Sequence, residues 1–407
     1  LAVIPQARVE AAIELLDQII NAARDEGSAA DRLISGYFKT RRYAGSKDRA
    51  AVRALVYRAI RHIGDCPKNG RSAMIRLAKD DPELAALFDG GKHAPAPILP
   101  QEIEYAAQKS AENPSLLPLW LAQKMDGYLD KDEQNALLGR APLDIRFNPH
   151  ITNLEAVLEA FPEGKPIEGL PYGVRLTEGT QVEKSPLWQK GAVEVQDAGS
   201  QWASLICQAK SDMRIVDLCA GAGGKTLALA SDILADGGDG HGLIACDTDR
   251  SRLSRLQPRL KRAGIETVEQ RLLNPKEEDQ ALADLFEKED LVLIDAPCSG
   301  TGTWRRNPEA RWRLNPERLS RLTAIQAYLL DMATKLVQPG GHLVYVVCSL
   351  LNEEGNDQIA AFLDRHSDWT VENIAIPVGS VQENGRRLTV LKDQTDGFFI
   401  SRLKYSG

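Results

Sequence analysis

The chain has 407 residues, 43% hydrophobic and 26% charged, with six cysteines, six histidines and a formal net charge of −7. These values fit a folded chain of two or three domains and exclude a fibrous or disordered one. No run approaches the roughly 20 apolar residues of a membrane span. No charged-then-apolar leader opens the sequence, so no secretion signal is expected. Cys66, Cys207, Cys219, Cys246, Cys298 and Cys348 include no C-x-x-C pair, and the histidines are scattered without H-E-x-x-H. No metal site is expected, and a reduced, cytoplasmic compartment fits best.

Residues 7–23, 29–38 and 46–63 carry apolar side chains at three- and four-residue spacing, the mark of amphipathic helices. Gly64, Pro67, Gly70 and then the Gly- and Pro-rich stretch 89–100 punctuate this region. The second stretch reads as a linker leading to a helix near 116–129. Short strands follow at 143–147, 172–176 and 191–195, with a helix at 154–161, which makes a small α+β unit. After a helix at 200–210, strands alternate with helices: strands at 215–219, 243–246, 291–294 and 343–347, helices at 225–234, 250–263 and 315–337. This alternation predicts a doubly wound parallel sheet. A last pair of strands is expected at 388–391 and 398–403. The domain division expected is 1–90 helical, 91–118 linker, 119–200 α+β and 201–407 α/β.

The negative total speaks against a nucleic-acid partner, but the basic residues are clustered. Arg32, Lys39, Arg41, Arg42, Lys47, Arg49, Arg53, Arg58 and Arg61 face Asp48 alone. Arg305, Arg306, Arg311, Arg313, Arg318 and Arg321 face Glu309 and Glu317. Arg250, Arg252, Arg255, Arg259, Lys261 and Arg262 form a third cluster. Local basic surface, rather than total charge, meets phosphates. Solvated helix faces are the competing explanation.

Asp217-Leu218-Cys219-Ala220-Gly221-Ala222-Gly223-Gly224-Lys225-Thr226 ends an apolar strand and opens a helix. Small residues there let a ligand approach the backbone and the free N–H groups of the helix start. A P-loop needs Gly at the position held by Cys219, and a dinucleotide loop needs Gly at Thr226, so both patterns fail. A nucleoside cofactor such as S-adenosylmethionine needs a carboxylate at the next strand end, and Asp247 stands there.

Cys298 follows one strand in Asp295-Ala296-Pro297-Cys298-Ser299-Gly300, and Cys348 ends the next in Val347-Cys348-Ser349. Neighbouring strands lie roughly 5 Å apart, so both thiols can flank one planar base. Carbon 5 of cytosine becomes nucleophilic only after a thiolate adds to carbon 6. Asp295 is placed to support charge at the ring nitrogen. Strand geometry alone does not choose which cysteine attacks.

With these motifs the chain resembles the Sun-type RNA (cytosine-5) methyltransferases, in particular the bacterial RsmB-like branch with a NusB-like front domain. The family's D-x-C-A-A-P-G-G-K-T loop corresponds to 217–226, its D-A-P-C-S-G to 295–300, and its closing D-G-F-F to 396–399. Its R-R-x-P-x-x-x-W is matched by Arg305, Arg306, Pro308 and Trp312, its T-C-S tip by Cys348-Ser349, and its R-x-N by Arg146 and Asn148. The resemblance spans nearly the whole chain and is densest from Gln196 onward.

The resemblance implies an α/β, doubly wound Rossmann-like methyltransferase domain preceded by a small RRM-like α+β unit and an all-α NusB-like RNA-binding domain. It implies Cys348 as nucleophile and Cys298 as the residue that assists product release. Cofactor contacts are implied for Cys219, Ala220, Gly221, Ala222, Gly223, Gly224, Lys225, Asp247, Arg252 and Asp295. The sequence departs from the pattern at Gly221-Ala222, at Val347, and after the third strand, where the family has an acidic residue and this chain has Gln270-Arg271-Leu272-Leu273-Asn274. Asn274 can substitute there through its side-chain oxygen. The expected activity is methylation of small-subunit rRNA by a monomeric enzyme. A tRNA substrate and a catalytically weak assembly factor are the alternatives.

Overall fold

The computed structural model describes residues 4–25, 27–41 and 43–407, so Arg42 of the first basic cluster lies outside the described residues. The chain forms two compact units, Leu1–Arg140 with Thr303–Pro316, and Ala141–Gly302 with Glu317–Gly407. Among the described residues no helix is long and apolar enough to cross a membrane.

The first unit is helical. Its central helix, Pro5–Arg24, starts with Pro at the first turn, where the missing N–H costs nothing, and buries Val9, Ile13, Leu16, Ile20 and Ala23 along one stripe. Helices Ala30–Thr40, Ser46–Arg61 and Gly70–Ala78 complete the core. Gly70 is required by close approach: a Cβ there would lie 2.2 Å from the Ile13 carbonyl oxygen. The expected linker 91–118 holds a further helix, Pro100–Glu112. The stretch before it is packed down, because Arg71 donates to the Ala96 and Pro97 carbonyls and pairs with Glu102 at 2.7 Å. Gly and Pro there mark the absence of helix, not the absence of packing.

The segment Thr303–Pro316 belongs to this helical unit although its neighbours in sequence do not. It forms a 3-10 helix, Pro308–Arg313. Trp312 enters the helical core, 7% exposed, and its indole N–H donates to the Gly64 carbonyl at 3.1 Å. Arg311, fully buried, donates to the Ile60 and Ile63 carbonyls at the end of helix Ser46–Arg61. Arg313 holds the Gly27 and Ser28 carbonyls, and Glu309 accepts the Ala30 N–H at 2.9 Å. Of the second basic cluster, Arg311 is thus spent on a helix end, which needs such a partner, and Arg313 on the loop between the first two helices.

The second unit contains two sheets. The small sheet consists of β1 (Leu143–Phe147), β2 (Lys165–Pro166), β3 (Gly173–Leu176) and β4 (Val193–Val195), all antiparallel, in the order β2-β3-β1-β4. The unit that holds it starts at Ala141, so the stretch 119–140 of the expected α+β division belongs to the helical unit. Arg146 of β1, buried, donates to Gln196 Oε1 and to Ser231 Oγ, each at 2.9 Å.

The large sheet consists of β5 (Ile215–Asp217), β6 (Leu243–Asp247), β7 (Glu269–Leu272), β8 (Glu289–Asp295), β9 (Val337–Val347), β10 (Trp369–Val371), β11 (Ser380–Gln382), β12 (Gly385–Leu388) and β13 (Phe398–Tyr405). Its order is β11-β12-β13-β9-β8-β5-β6-β7, with β10 on β13. The strands β7-β6-β5-β8-β9 run parallel, and β13 is antiparallel to β9. The chain leaves central β5 toward β6 and β7, then crosses back to β8 and β9, so the topological switch lies between β5 and β8. A doubly wound sheet opens its ligand crevice at such a switch, beyond the strand C-termini. The expected helix 250–263 is split into Arg250–Leu253 and Leu256–Arg262. Pro258 has no N–H to continue the ladder.

Candidate active site

All the strand ends singled out by sequence meet at one edge of this sheet. β5 runs into the glycine turn. Gly221 and Gly223 have φ of +58° and +83°, a region where a side chain is strained. A Cβ on Gly221 would lie 2.4 Å from an Arg252 guanidinium nitrogen, so Gly in place of the family's Ala makes room for Arg252. The turn is fixed by Ala220 N–H to Cys246 O and Gly223 N–H to Ala220 O, each 2.8 Å. Helix Gly224–Ala235 then begins, with Lys225 and Thr226 in its first turn.

Asp247 ends β6 and is 6% exposed. One carboxylate oxygen accepts the Gly221 N–H and the other the Asp249 N–H, both at 2.7 Å. Each oxygen keeps lone-pair capacity for a second donor. Asn274 lies two residues past the end of β7, exposed, with its amide nitrogen toward Glu277 Oε2 at 3.3 Å.

Asp295 ends β8 and pairs with Lys225 Nζ at 2.7 Å. Burial pulls the Lys225 ammonium down, but the adjacent Asp295 carboxylate outweighs this, with Cys348 and Asp217 adding, so its pKa is raised. The ammonium also lies over the Phe398 ring, 5.7 Å from the centroid. That ring belongs to the D-G-F-F segment. Gly397 of the same segment permits a contact in which a Cβ on Gly302 would fall 2.0 Å from the Gly397 carbonyl oxygen. Deeper in, Thr226 Oγ donates to Asp217 at 2.7 Å. Burial pushes the Asp217 carboxyl up to about 7, against the pull of that hydroxyl.

Cys298 and Cys348 both sit partly exposed, with their sulfurs 3.3 Å apart. Their strands are adjacent and in register, Asp295 opposite Val346. The hydrogen bond with Cys348, then burial, then the charge of Cys348 all push the Cys298 thiol well above its usual value. Cys219, two residues past β5, packs against the same core as Cys298, and burial above all raises its thiol. The structure therefore brings together Cys298, Cys348, Asp295, Lys225, the glycine turn, Asp247 and Arg252. Sequence reasoning passes over Ser299, Ser349, Thr301, Gln326 and Glu354, which join beneath the two cysteines. A visible signal exists for the serines, since each follows a cysteine in the same Cys-Ser pair. Glu354 carries none.

Residues 204–404 match the model of the 16S rRNA methyltransferase RsmB/F family. The ribosomal RNA small subunit methyltransferase B of Klebsiella pneumoniae is 33% identical over 313 residues, an alignment covering 74% of this chain and 69% of that protein. The chain belongs to the RsmB/F family. The Yersinia enterocolitica methyltransferase B is 32% identical, with 74% of this chain and 70% of that protein covered. The crystal structure of PH0851 has the same fold, with a TM-score of 0.75 at 24% identity over 98% of this chain and 99% of that one.

As an RsmB/F member the chain is an S-adenosylmethionine-dependent methyltransferase with a Rossmann-like domain. Its residues fit that cofactor. The glycine turn keeps the residues small at a helix start, and the Asp247 carboxylate retains capacity for two ribose hydroxyls. Among the described residues no group of three or more His, Cys, Asp or Glu is assembled to hold a metal ion.

Proposed function

We propose that the chain methylates carbon 5 of a cytosine in small-subunit rRNA, working in the cytoplasm as a metal-free monomer. The observation that carries this reading is the pair of thiols 3.3 Å apart beside Asp295 and the glycine turn. Cys348 adds through its thiolate to carbon 6, which makes carbon 5 nucleophilic. The proton leaving the Cys348 thiol passes to the ring nitrogen, and the Asp295 carboxylate, paired with Lys225, accepts a hydrogen bond from that N–H. S-adenosylmethionine, when bound, supplies an electrophilic methyl group. Carbon 5 then carries both the methyl and a proton. Cys298 takes the proton, Cys348 leaves carbon 6, and the ring is restored.

The order of these roles is the one the family resemblance implies, and the contact between the two sulfurs is compatible with it. Two of the causes that raise the Cys298 thiol, the hydrogen bond and the charge, come from Cys348. Both end once the Cys348 sulfur is bonded to carbon 6. Cys298 then becomes more acidic and supplies a thiolate at the stage that needs a base.

In this reading Cys219, Ala220, Gly221, Ala222, Gly223, Gly224 and Lys225 line the cofactor with Arg252, Asp247 accepts the ribose hydroxyls, and Asn274 accepts from the adenine amino group through its side-chain oxygen. Asp247→Ala is expected to weaken S-adenosylmethionine binding, measured by calorimetry, by roughly ten- to over a hundred-fold. Hydrogen bonds to a charged group contribute on the order of 1.5–3 kcal/mol. An unchanged dissociation constant would remove Asp247 from the site.

The helical unit is assigned as NusB-like and the small sheet as RRM-like, both serving RNA. The charge there is smaller than the sequence suggests. Arg53 pairs with Asp31, Arg58 with Asp81 and Arg41 with Glu14. In the third cluster Arg259 and Arg262 both hold Glu194. Arg32, Lys39 and Lys47 are exposed and make none of these pairs. Replacing those three by Ala should lower the salt slope of RNA binding by about two to three units, because each phosphate neutralised by a basic side chain adds slightly less than one unit. An unaltered slope would make them solvated positions only. Point changes are needed rather than removal of the helices, because Thr303–Pro316 packs among them.

Bisulfite sequencing of total RNA with and without the gene tests the reading as a whole. One cytosine of small-subunit rRNA is expected to lose its protection. A protected cytosine missing from tRNA instead would overturn the substrate assignment.

A further inference from the structure

The reaction as derived gives no task to Glu354, a carboxylate with no exposed surface that lies beneath both cysteines. It ends the short turn Asn352–Glu354 after β9. One of its oxygens accepts the Ser299 N–H at 2.8 Å and the Gln326 amide at 3.1 Å. The other accepts the hydroxyls of Ser299 and Ser349. Ser299 follows Cys298, and Ser349 follows Cys348.

The donors named are all neutral, so this charge is buried without a cation among them. Burial of that kind is costly and persists only where hydrogen bonds replace water. The surroundings hold the clamp in turn. Thr301 Oγ lies 3.1 Å from Ser349 Oγ and accepts the Leu350 N–H at 2.8 Å. The Gln326 amide also donates to the Pro297 carbonyl at 2.9 Å, and Tyr345 donates its hydroxyl to the Glu354 carbonyl at 2.8 Å. One carboxylate therefore ties the loop after β8 to the loop after β9. Those two loops carry the two sulfurs that must act in sequence on one base.

We propose that Glu354 is a positioning residue that holds Cys298 and Cys348 in register through Ser299 and Ser349. This rests on the two-cysteine reaction described above. Its arms are separable. Losing the Ser349 arm loosens Cys348 and slows attack on carbon 6. Losing the Ser299 arm loosens Cys298 and slows release.

The test uses the full chain, small-subunit rRNA transcripts, and the same transcripts made with 5-fluorocytidine. Fluorine leaves no carbon 5 proton to remove, so the methylated covalent complex forms and stays, and its rate of formation reports attack and methyl transfer without the release step. Rates are expressed per S-adenosylmethionine-binding site, counted by calorimetry, so that unfolded protein drops out. Glu354→Ala is expected to slow both trapping and turnover roughly tenfold or more, as misplaced reacting groups do, with KM for S-adenosylmethionine unchanged. Glu354→Gln should recover most of the rate, because an amide still accepts from the Ser299 N–H and donates to the hydroxyls. Ser349→Ala should slow trapping. Ser299→Ala should leave trapping near the wild-type rate but accumulate complex on ordinary RNA. The serine variants carry the test if Glu354→Ala does not fold. Wild-type rates per site in Glu354→Ala, or equal slowing of both steps by both serine variants, would overturn the clamp. Failure of the wild-type protein to trap the fluorinated RNA would instead overturn the two-cysteine reaction beneath it.

Discussion

Cys348→Ala is expected to abolish methylation while RNA and S-adenosylmethionine still bind. Without the carbon 6 adduct, carbon 5 never becomes reactive. Cys298→Ala acts later. The adduct forms and the methyl group is transferred, but the carbon 5 proton stays and elimination stalls. That variant should accumulate a protein–RNA complex that survives denaturing electrophoresis, and Cys348→Ala should not. The 3.3 Å separation of the sulfurs makes the comparison sharp, since either thiol can reach the same base. Trapping by Cys348→Ala in place of Cys298→Ala would exchange the roles. Similar losses of stability and no trapped complex from either variant would make both cysteines packing residues.

Trp312→Ala is expected to cost about 3–5 kcal/mol of stability, the range for truncating a buried Trp or Phe. The ring lies in the core of the helical unit, and its N–H satisfies the Gly64 carbonyl at 3.1 Å. The loss should appear in denaturant unfolding as a lower midpoint at unchanged slope. As part of an RNA-contacting basic motif, the same residue would predict normal stability and weaker RNA binding. That result would remove the structural role argued for residues 303–316. Arg311→Ala should behave like Trp312→Ala, because the Ile60 and Ile63 carbonyls lose their donor.

The methyltransferase half of the molecule is legible because its chemistry sits at strand ends. A run such as Leu243–Asp247, buried along its whole length, declares a parallel strand by being apolar without alternation, and the residue that breaks the run marks its tip. Asp247, Asp295 and Cys348 are found in this way. The small strands β10 and β11 escape it. Three residues at the margin of a sheet give too short a pattern to separate from loop.

The charge clusters show where reading along the chain falls short. Nine basic residues between Arg32 and Arg61 look like a phosphate-binding face in one dimension. Their partners Glu14, Asp31 and Asp81 lie on other segments and meet them only after folding. By composition the stretch 305–313 reads as surface, yet Arg311 and Trp312 are interior.

By itself the sequence determined the doubly wound sheet, the glycine turn, the two cysteine tips and the carboxylates beside them. These follow from local periodicity and from motifs contiguous in the chain. Only the tertiary structure decided that residues 303–316 complete the helical unit, that Arg311 among them caps a helix end, and that one buried carboxylate ties both cysteine loops together. Each of these depends on groups far apart in the chain, such as Ser299 with Glu354, 55 positions apart, and Arg311 with Ile60, 251 positions apart. No local pattern encodes such pairings, because what selects them is the cost of burying a polar group until it finds a partner.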